Sequence, residues 1–470
     1  MSKNWEFSKK PIELPFSMGI EMEVQMITKD GLFLSGDEMV FHMQKMVESA
    51  TEVLTKDLNE GNIPKVIQDK MNKEPRITEN IEKGTVVSLD YKIGGKSVDI
   101  EIFGRDGNVA SITYILEVVT PPCTYVDELV WWCQRLLSTA ELVMPKNLFL
   151  VSTGFCPTQR EYYRGLSFGT HYHIGGFKDD KEKIKVYNMI RNFIPHIVAL
   201  TVNSPFINGS PTDDVKIIGN RYAAPGCLRS IRLKSNESML SRSDPRIYIP
   251  YLHKNQDANH FLSVIEKASM EDARFQDLFP FTDWGTIELR ICDAQISIAR
   301  TIGIALTLQS LAVLARDMKE IPDAGSKSIV MNRDAAINRG LFGTFRADLV
   351  PFQEMMKISP KFTELFLGDL KKNKLHAYMF EAIQKMFILL KDILKKQNFL
   401  DTPFLDPLLL SVFGNIDVAE FPFTEAEYQL YLYLQRQKDI YAVLKDLILL
   451  TVKSCEDPSF SPISGKLNKW

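Results

Sequence analysis

"GIEMEVQ", residues 19–25, places Glu21 and Glu23 one residue apart among Ile20, Met22 and Val24. In a strand, residues i and i+2 point to the same face. Glu21 and Glu23 therefore share one face, and the three apolar residues share the other. Two like charges on a shared face repel and raise each other's pKa unless something positive lies between them. The stretch is either an edge strand with hydrated carboxylates or one wall of a charged site.

Three other stretches repeat the pattern. In "THYHIG" (170–175), His171 and His173 share a face opposite Tyr172 and Ile174. In "TIELRICD" (286–293), Thr286, Glu288 and Arg290 oppose Ile287, Leu289 and Ile291. In "LEVVT" (116–120), Glu117 stands opposite Leu116 and Val118. One antiparallel sheet with a packed back and a functional front accounts for all four. Four glutamates and a histidine make a hard, oxygen-rich donor set, which suits Mg²⁺ or Mn²⁺ better than a thiolate zinc site. Divalent ions beside an arginine suit phosphoryl transfer from a nucleotide.

The bulk composition sets limits on this reading. The chain has 470 residues, 45% hydrophobic and 24% charged, which is ordinary globular composition. A net charge of −3 provides no basic excess for a nucleic-acid partner. Six cysteines without a Cys-x-x-Cys pair fit a reducing cytoplasm. "MSKNWEFSKKPIELP" shows no apolar core of a signal peptide. The apolar run 301–315 falls short of the roughly 20 residues of a membrane span, so a buried helix and no membrane partner are expected.

Along the chain, helix is expected over 37–58. A hairpin over 84–104 should turn at Gly94–Gly95. Further helices are expected over 125–143, over 183–206 with a break near Pro195 or an end at Asn203–Pro205, and over 297–318. Residues 319–330 read as a loop. Beyond about 345 the pattern is helical, with 376–396 and 424–450 as its clearest members. The expected fold is α+β: an antiparallel sheet with a metal- and ATP-binding face, packed by helices. A body over 1–345 and a helical section over 346–470 should form one catalytic domain.

The motifs also resemble a known family. "GIEMEVQ", "LEVVTPP", "GTHYHIG", "IVALTVNSPFINGSPT", "TIELRICDAQ" and "NRDAAINRGLFG" are similar, in order, to the carboxylate–amine ligases of the glutamate–cysteine ligase type 2 family, related to glutamine synthetase. "EYQLYLYLQRQKDIYAVLKDLI" resembles the family's final helix, and roughly 40–105 looks longer than in compact members. The resemblance implies a glutamine synthetase-like sheet and an ATP-dependent carbon–nitrogen ligase. ATP would phosphorylate the γ-carboxylate of glutamate, and an amine such as cysteine would attack the acyl phosphate, as in glutathione biosynthesis. It implies Glu21, Glu23, Glu117, His171 and Glu288 as ligands of Mg²⁺ or Mn²⁺. His173 and Arg290 would face phosphate, and Asn332, Arg333 and Arg339 would fix nucleotide or acyl-phosphate geometry. Arg221, Arg229 and Arg232 are candidates for a substrate carboxylate.

In relatives an acidic residue commonly stands where this chain has Ala110, and Asp106 is a candidate replacement. Asp99 and Glu101 read better as a solvated strand face. Trp131, Trp132 and His196 read as core residues, His196 with its ring nitrogens satisfied. Small-molecule substrates are expected, and a homo-oligomer is compatible with them. A ligase using another carboxylate or amine, a guanidino-type kinase and a nucleotide or amino-acid sensor that has lost its chemistry are the competing functions.

Overall fold

Leu14, Phe16, Met18, Ile20, Met22, Val24 and Met26 alternate with smaller or polar residues, and Glu13–Thr28 forms one strand of 16 residues (β1) with those seven side chains buried. The computed structural model describes residues 5, 7, 10–34, 36–60, 63–71, 74–80, 84–106, 115–160, 167–212, 216–218, 221–223, 227–235, 249–253, 256–267, 269–273, 276–372, 374–419 and 421–468. Around β1 the chain adds Arg76–Asn80 (β2), Gly84–Ile93 (β3), Lys96–Asp106 (β4), Ile115–Val119 (β5), Cys123–Tyr125 (β6), Leu148–Val151 (β7), Gly169–Gly175 (β8), Leu278–Phe279 (β9) and Ile287–Asp293 (β10). They form one antiparallel sheet in the order β9-β10-β8-β1-β5-β4-β3-β2, with β6 and β7 also pairing to β1. Strands drawn from Glu13 to Asp293 thus bring their polar faces side by side, as the pattern required.

The helices that position the site are Gly36–Glu60 (α1), Val126–Leu142 (α2), Asp180–Thr201 (α3), Ala258–Ile265 (α4), Ile298–Asp317 (α5), Ser326–Arg339 (α6), Met379–Lys396 (α7), Glu425–Gln435 (α8) and Ile440–Glu456 (α9). The apolar side chains of β1, β8 and β10 share one buried cluster with α2, α3, α5 and α7. Its members run from Leu14 to Cys455, so the helical section after 345 and the sheet share a core.

α5 is 20 residues long and apolar enough to cross a membrane by length and composition, but 94% of its most apolar window is buried within the protein. Its extent exceeds the 15-residue run read from sequence because Ile298–Arg300 precede that run and Arg316 and Asp317 follow it. The six cysteines are free and buried.

The hairpin turns at Gly94 and Gly95, with φ of 56° and 80°. Positive φ at both turn residues is what a primed two-residue turn needs and what glycine permits. Several boundaries differ from the sequence reading. α3 runs unbroken through Pro195 and ends at Thr201. Burial on both sides of the proline, from Val186 to Thr201, holds the helix together despite the lost donor. The loop expected over 319–330 ends early, because α6 starts at Ser326. The stretch 424–450 is two helices. Gln437 and Lys438 take φ of 53° and 67°, and Asp439 caps α9 by accepting from the N–H groups of Tyr441 and Ala442.

The long segment over 40–105 is α1 together with β2–β4, and it is fixed to α2 by buried polar contacts. Lys70 Nζ lies 2.6 Å from both Glu128 carboxylate oxygens, and Tyr91 donates to Glu128 Oε1. Trp132 is fully buried against Trp131, ring centroids 4.7 Å apart.

Candidate active site

Register aligns the charged residues. Glu23 pairs opposite Glu117, Glu21 opposite His171, and His173 opposite Glu288. Glu21 lies at the centre, with its Oε2 3.0 Å from His171 Nδ1 and its Oε1 3.1 Å from His173 Nε2. Glu288 Oε1 lies 3.9 Å from His173 Nε2 and 4.0 Å from His171 Nδ1. Glu23 Oε1 is 3.7 Å from His171 Nε2, while its other oxygen accepts from the N–H of Gly169.

Two groups of donor atoms converge within 4.8 Å: Glu21, Glu117 and His171, and Glu21, His173 and Glu288. Glu21 is common to both. The donors are carboxylate oxygens and imidazole nitrogens, and they fit one or more hard divalent cations. Buried His171 Nε2 has no hydrogen-bond partner among the described residues, which agrees with a ring whose nitrogen is kept for something else. His173, expected to face phosphate, stands inside the second group, and its Nδ1 meets Thr286 Oγ1 at 3.0 Å.

Charge on this face is mutually supporting. Burial pushes the Glu21 carboxyl up, but His173 and His171 outweigh it and hold it well below the usual range. Burial pushes His173 down, but Glu21 and Glu288 more than reverse that and raise it. Arg290 donates through Nη1 to Glu288 Oε1. Burial works against its charge, and Glu288, Glu21 and Glu23 around it raise its pKa above the ordinary value. The guanidinium is therefore a fixed cation at the edge of the carboxylate set.

Sequence reading left Asp293 and Asp277 without a role, and both organise this face. Asp293, at the end of β10, accepts from Asn203 N and Ser204 Oγ, each at 2.8 Å, and from Ser230 Oγ at 3.0 Å. It thereby ties "NSPF" and the 227–235 segment to the sheet. A side chain at Gly154 would run into Asp293, so that glycine permits the close approach. Arg232 is seated by the same network. Its Nη2 donates to Arg290 O at 3.1 Å, and a Cβ at Gly169 would collide with its guanidinium. Asp277 O accepts the N–H of Arg290 at 3.0 Å, and its carboxylate receives Arg333. The final Asp of "IELRICD" was a visible signal for Asp293. Nothing in the local pattern marked Asp277.

The remaining candidates divide. Arg232 is 2% exposed; its Nη1 lies 3.8 Å from Asp293 Oδ1 as an ion pair, and its Nε and Nη1 have no hydrogen-bond partner among the described residues. Arg229, expected beside it at a substrate, is instead a buried tie between segments: its Nε donates to Glu427 Oε1 at 2.7 Å and its Nη1 to Cys227 O. Burial with a carboxylate partner leaves it facing α8. Arg333 is likewise buried against Asp277, one residue removed from the metal face. Asn332 is buried and accepts the N–H of Arg346 at 2.6 Å. Arg339 is exposed at the end of α6. The side chains of Arg221, Tyr222 and Asp106, and the whole of Ala110, lie outside the described residues. Cys292 is buried with its thiol pushed up to about 12 by burial, which suits packing rather than nucleophilic chemistry.

Residues 142–336 match the glutamate–cysteine ligase family 2. The resemblance to that family therefore holds on the stretch that carries His171, His173, Glu288 and Arg290. Among curated relatives, the putative glutamate–cysteine ligase 2 of Roseiflexus castenholzii is 30% identical over 225 residues, covering 42% of this chain and 54% of the relative. That of Gloeobacter violaceus is 31% identical over 157 residues, covering 33% of this chain and 37% of the relative. The chain thus spans about half, or less, of the length of these relatives. Among solved structures, the glutamate–cysteine ligase of Francisella tularensis in complex with AMP aligns with a TM-score of 0.49 at 12% identity, over 96% of this chain and 93% of that one. The bifunctional glutathione synthetase of Pasteurella multocida aligns with a TM-score of 0.47 at 12% identity, over 94% and 52%.

Proposed function

We propose that this chain is an ATP-dependent carboxylate–amine ligase that forms a γ-glutamyl amide, with glutamate and cysteine as its first-choice substrates. The observation that carries the reading is the pair of donor groups sharing Glu21 beside the fixed guanidinium of Arg290. The relatives named as putative glutamate–cysteine ligases point the same way. On this reading the sheet is arranged as in glutamine synthetase, and 1–345 and 346–470 work as one catalytic domain.

Glu21, Glu23, Glu117, His171 and Glu288 would hold Mg²⁺ or Mn²⁺, with His173 able to join them. Bound there, the cation would neutralise nucleotide phosphate charge. Arg290 would hold non-bridging oxygens of the transferring γ-phosphoryl group, where charge develops. The γ-carboxylate of glutamate takes that group to give an acyl phosphate. The unprotonated amine attacks the acyl carbon, the carbon–nitrogen bond forms, and phosphate leaves. Arg232 would anchor an α-carboxylate, since its planar fork keeps Nε and Nη1 without a hydrogen bond while Asp293, 3.8 Å away, balances its charge. Asp293 and Asp277 would act as positioning residues, for Arg232 and Arg290 respectively.

The test is phosphate release with ATP, Mg²⁺ and glutamate in the presence of cysteine, 2-aminobutyrate or cysteamine, with the products identified by mass. Cysteine and 2-aminobutyrate should both react, and cysteamine should be much poorer because it lacks the carboxylate. If another amine reacts and these do not, the cysteine assignment falls and the ligase class stands. ADP with a phosphorylated product and no free phosphate would make the protein a kinase and overturn the ligase reading.

A further inference from the structure

A cavity of about 610 Å³ lies away from the carboxylate–imidazole face, between the first turns of α3, the start of α4 and the segment Pro280–Phe281. None of its lining residues belongs to the metal donor set. Its apolar part includes Tyr187, Leu252 and Phe281, and charged groups of both signs stand around it. The wall is mixed: beside that apolar part stand Asp179, Asp180, Asp257, Lys181 and Lys183, so a ligand there must satisfy charge of both signs as well as apolar contact.

The polar groups differ in what they already do. Asp257 is used as a helix cap, accepting from His260 N at 3.1 Å, and Asp179 accepts from Glu182 N at 2.8 Å. Lys183 and Asp180 are not used in this way. Among the described residues the Lys183 ammonium makes no hydrogen bond or ion pair. It stands 5.7 Å from the centre of the Phe281 ring, half-buried, where desolvation lowers its pKa. Asp180 is exposed, has no hydrogen bond among the described residues and influences Lys183 through charge without forming a direct ion pair.

We propose that this cavity binds a free amino acid with an aromatic or large apolar side chain. The ligand's carboxylate would meet Lys183, its ammonium would meet Asp180, and its side chain would lie against Phe281 and Tyr187. A half-buried cation left without an anion is costly, and a bound carboxylate removes that cost. A purely anionic ligand would face the rim carboxylates unpaired, and a purely cationic one would face Lys183. A zwitterion satisfies both signs. The site shares a loop with the metal face: Thr282 follows Phe281, and its Oγ1 lies 2.7 Å from Thr286 Oγ1, which meets His173 Nδ1.

The experiment is calorimetric titration of the full chain with L-phenylalanine, without ATP or divalent metal. Saturable binding is expected, weakened at least about tenfold for phenylacetate, phenethylamine and glycine, each of which lacks one contact. Lys183→Gln should lose a similar factor while keeping wild-type thermal stability. Absence of saturable L-phenylalanine binding would overturn the proposal. Equal binding by Lys183→Gln, or binding abolished by Glu21→Gln and untouched by Lys183→Gln, would do the same by placing the amino acid at the metal face. Because these readouts need no turnover, they stand apart from the ligase reading.

Discussion

Two parts of the one sheet begin from the same problem and solve it differently. At the β1–β5 pair, Glu23 stands directly opposite Glu117. At the β3–β4 pair, Asp90 stands directly opposite Asp99. Facing like charges destabilise a sheet in either place. In the wing, Asp90 is itself buried, 3% exposed, but Asp99 opposite it turns to solvent, its side chain 63% exposed, and takes Arg76 as a partner at 2.5 Å. At β1, Glu23 and Glu117 are each 5% exposed, and two histidines and an arginine stand on the same face. Spacing of acids along a strand is therefore shared by a site and a solvated face. What separates them is burial of both facing acids together with convergence from several strands.

That comparison predicts its largest effect at Glu21, the residue common to both donor groups. Glu21→Gln should lower metal-dependent ATP turnover by well over about 10²-fold, beyond what loss of a merely supporting group costs. Turnover should vanish with chelator and return with Mg²⁺ or Mn²⁺. Circular dichroism should show the fold intact. Turnover within a few-fold of wild type would mean that convergence here is structural.

Arg290→Lys comes next. It keeps the charge beside Glu288 and removes the fork. We expect kcat to fall by about 10²-fold, the scale of a lost transition-state donor, with a smaller change in ATP KM. A change confined to KM would assign Arg290 to ground-state binding and weaken the parallel between its fixed charge and the chemistry.

Burial without convergence is isolated at His196. Its ring lies in the core with centroids 4.9 Å from Phe193 and 5.3 Å from Phe366, and neither nitrogen has a hydrogen bond among the described residues. Sequence reading expected a satisfied core histidine. The position was right and the satisfaction was not. Burial, with His376 nearby, lowers its pKa from the usual 6.5 to about 3, and burial lowers His376 to about 4. The unfolded chain therefore binds protons at both positions between pH 6.5 and these values, while the folded chain does not. Stability is full above about 6.5 and falls as pH drops through that window. From pH 7 to 5 the His196 contribution alone is roughly 2 kcal/mol. A urea series should show this loss, and His196→Phe should remove its share of the slope. An unchanged slope in the variant would show that the fold does not depress the pKa of this ring.

Legibility followed the range of the interaction. The charged face was readable because each strand announces its own alternation, and Glu21, His171, Glu288 and Arg290 all lie where period two puts them. The β3–β4 turn was readable because two glycines demand it. Partners distant in sequence were not. Nothing near Arg229 foretells Glu427, 198 residues away, so a candidate substrate arginine proved to be a core tie. Nothing near Arg333 foretells Asp277. The break between α8 and α9 was missed because Arg436–Asp439 keep a helix-like composition, and the positive φ of Gln437 and Lys438 appears only in three dimensions.

The smallest predicted effect lies in the wing and tests the comparison from its other side. Asp99 offers the same chemistry as Glu23 and opposes another carboxylate, so a rule based on spacing alone would give it equal weight. Its exposure says otherwise. An exposed pair such as Arg76–Asp99 contributes well under about 1 kcal/mol, because water screens it and two side chains are ordered to hold it. Removing the Asp99 charge also relieves its repulsion with Asp90, which offsets part of that loss. Asp99→Asn should therefore shift stability by less than about 0.5 kcal/mol and leave metal-dependent ATP turnover within about twofold of wild type. The measurements are a urea unfolding midpoint and a turnover assay across a Mg²⁺ series beside Glu21→Gln. If Asp99→Asn raised the Mg²⁺ requirement, the wing would carry a ligand of its own, and burial would no longer distinguish the two halves of the sheet.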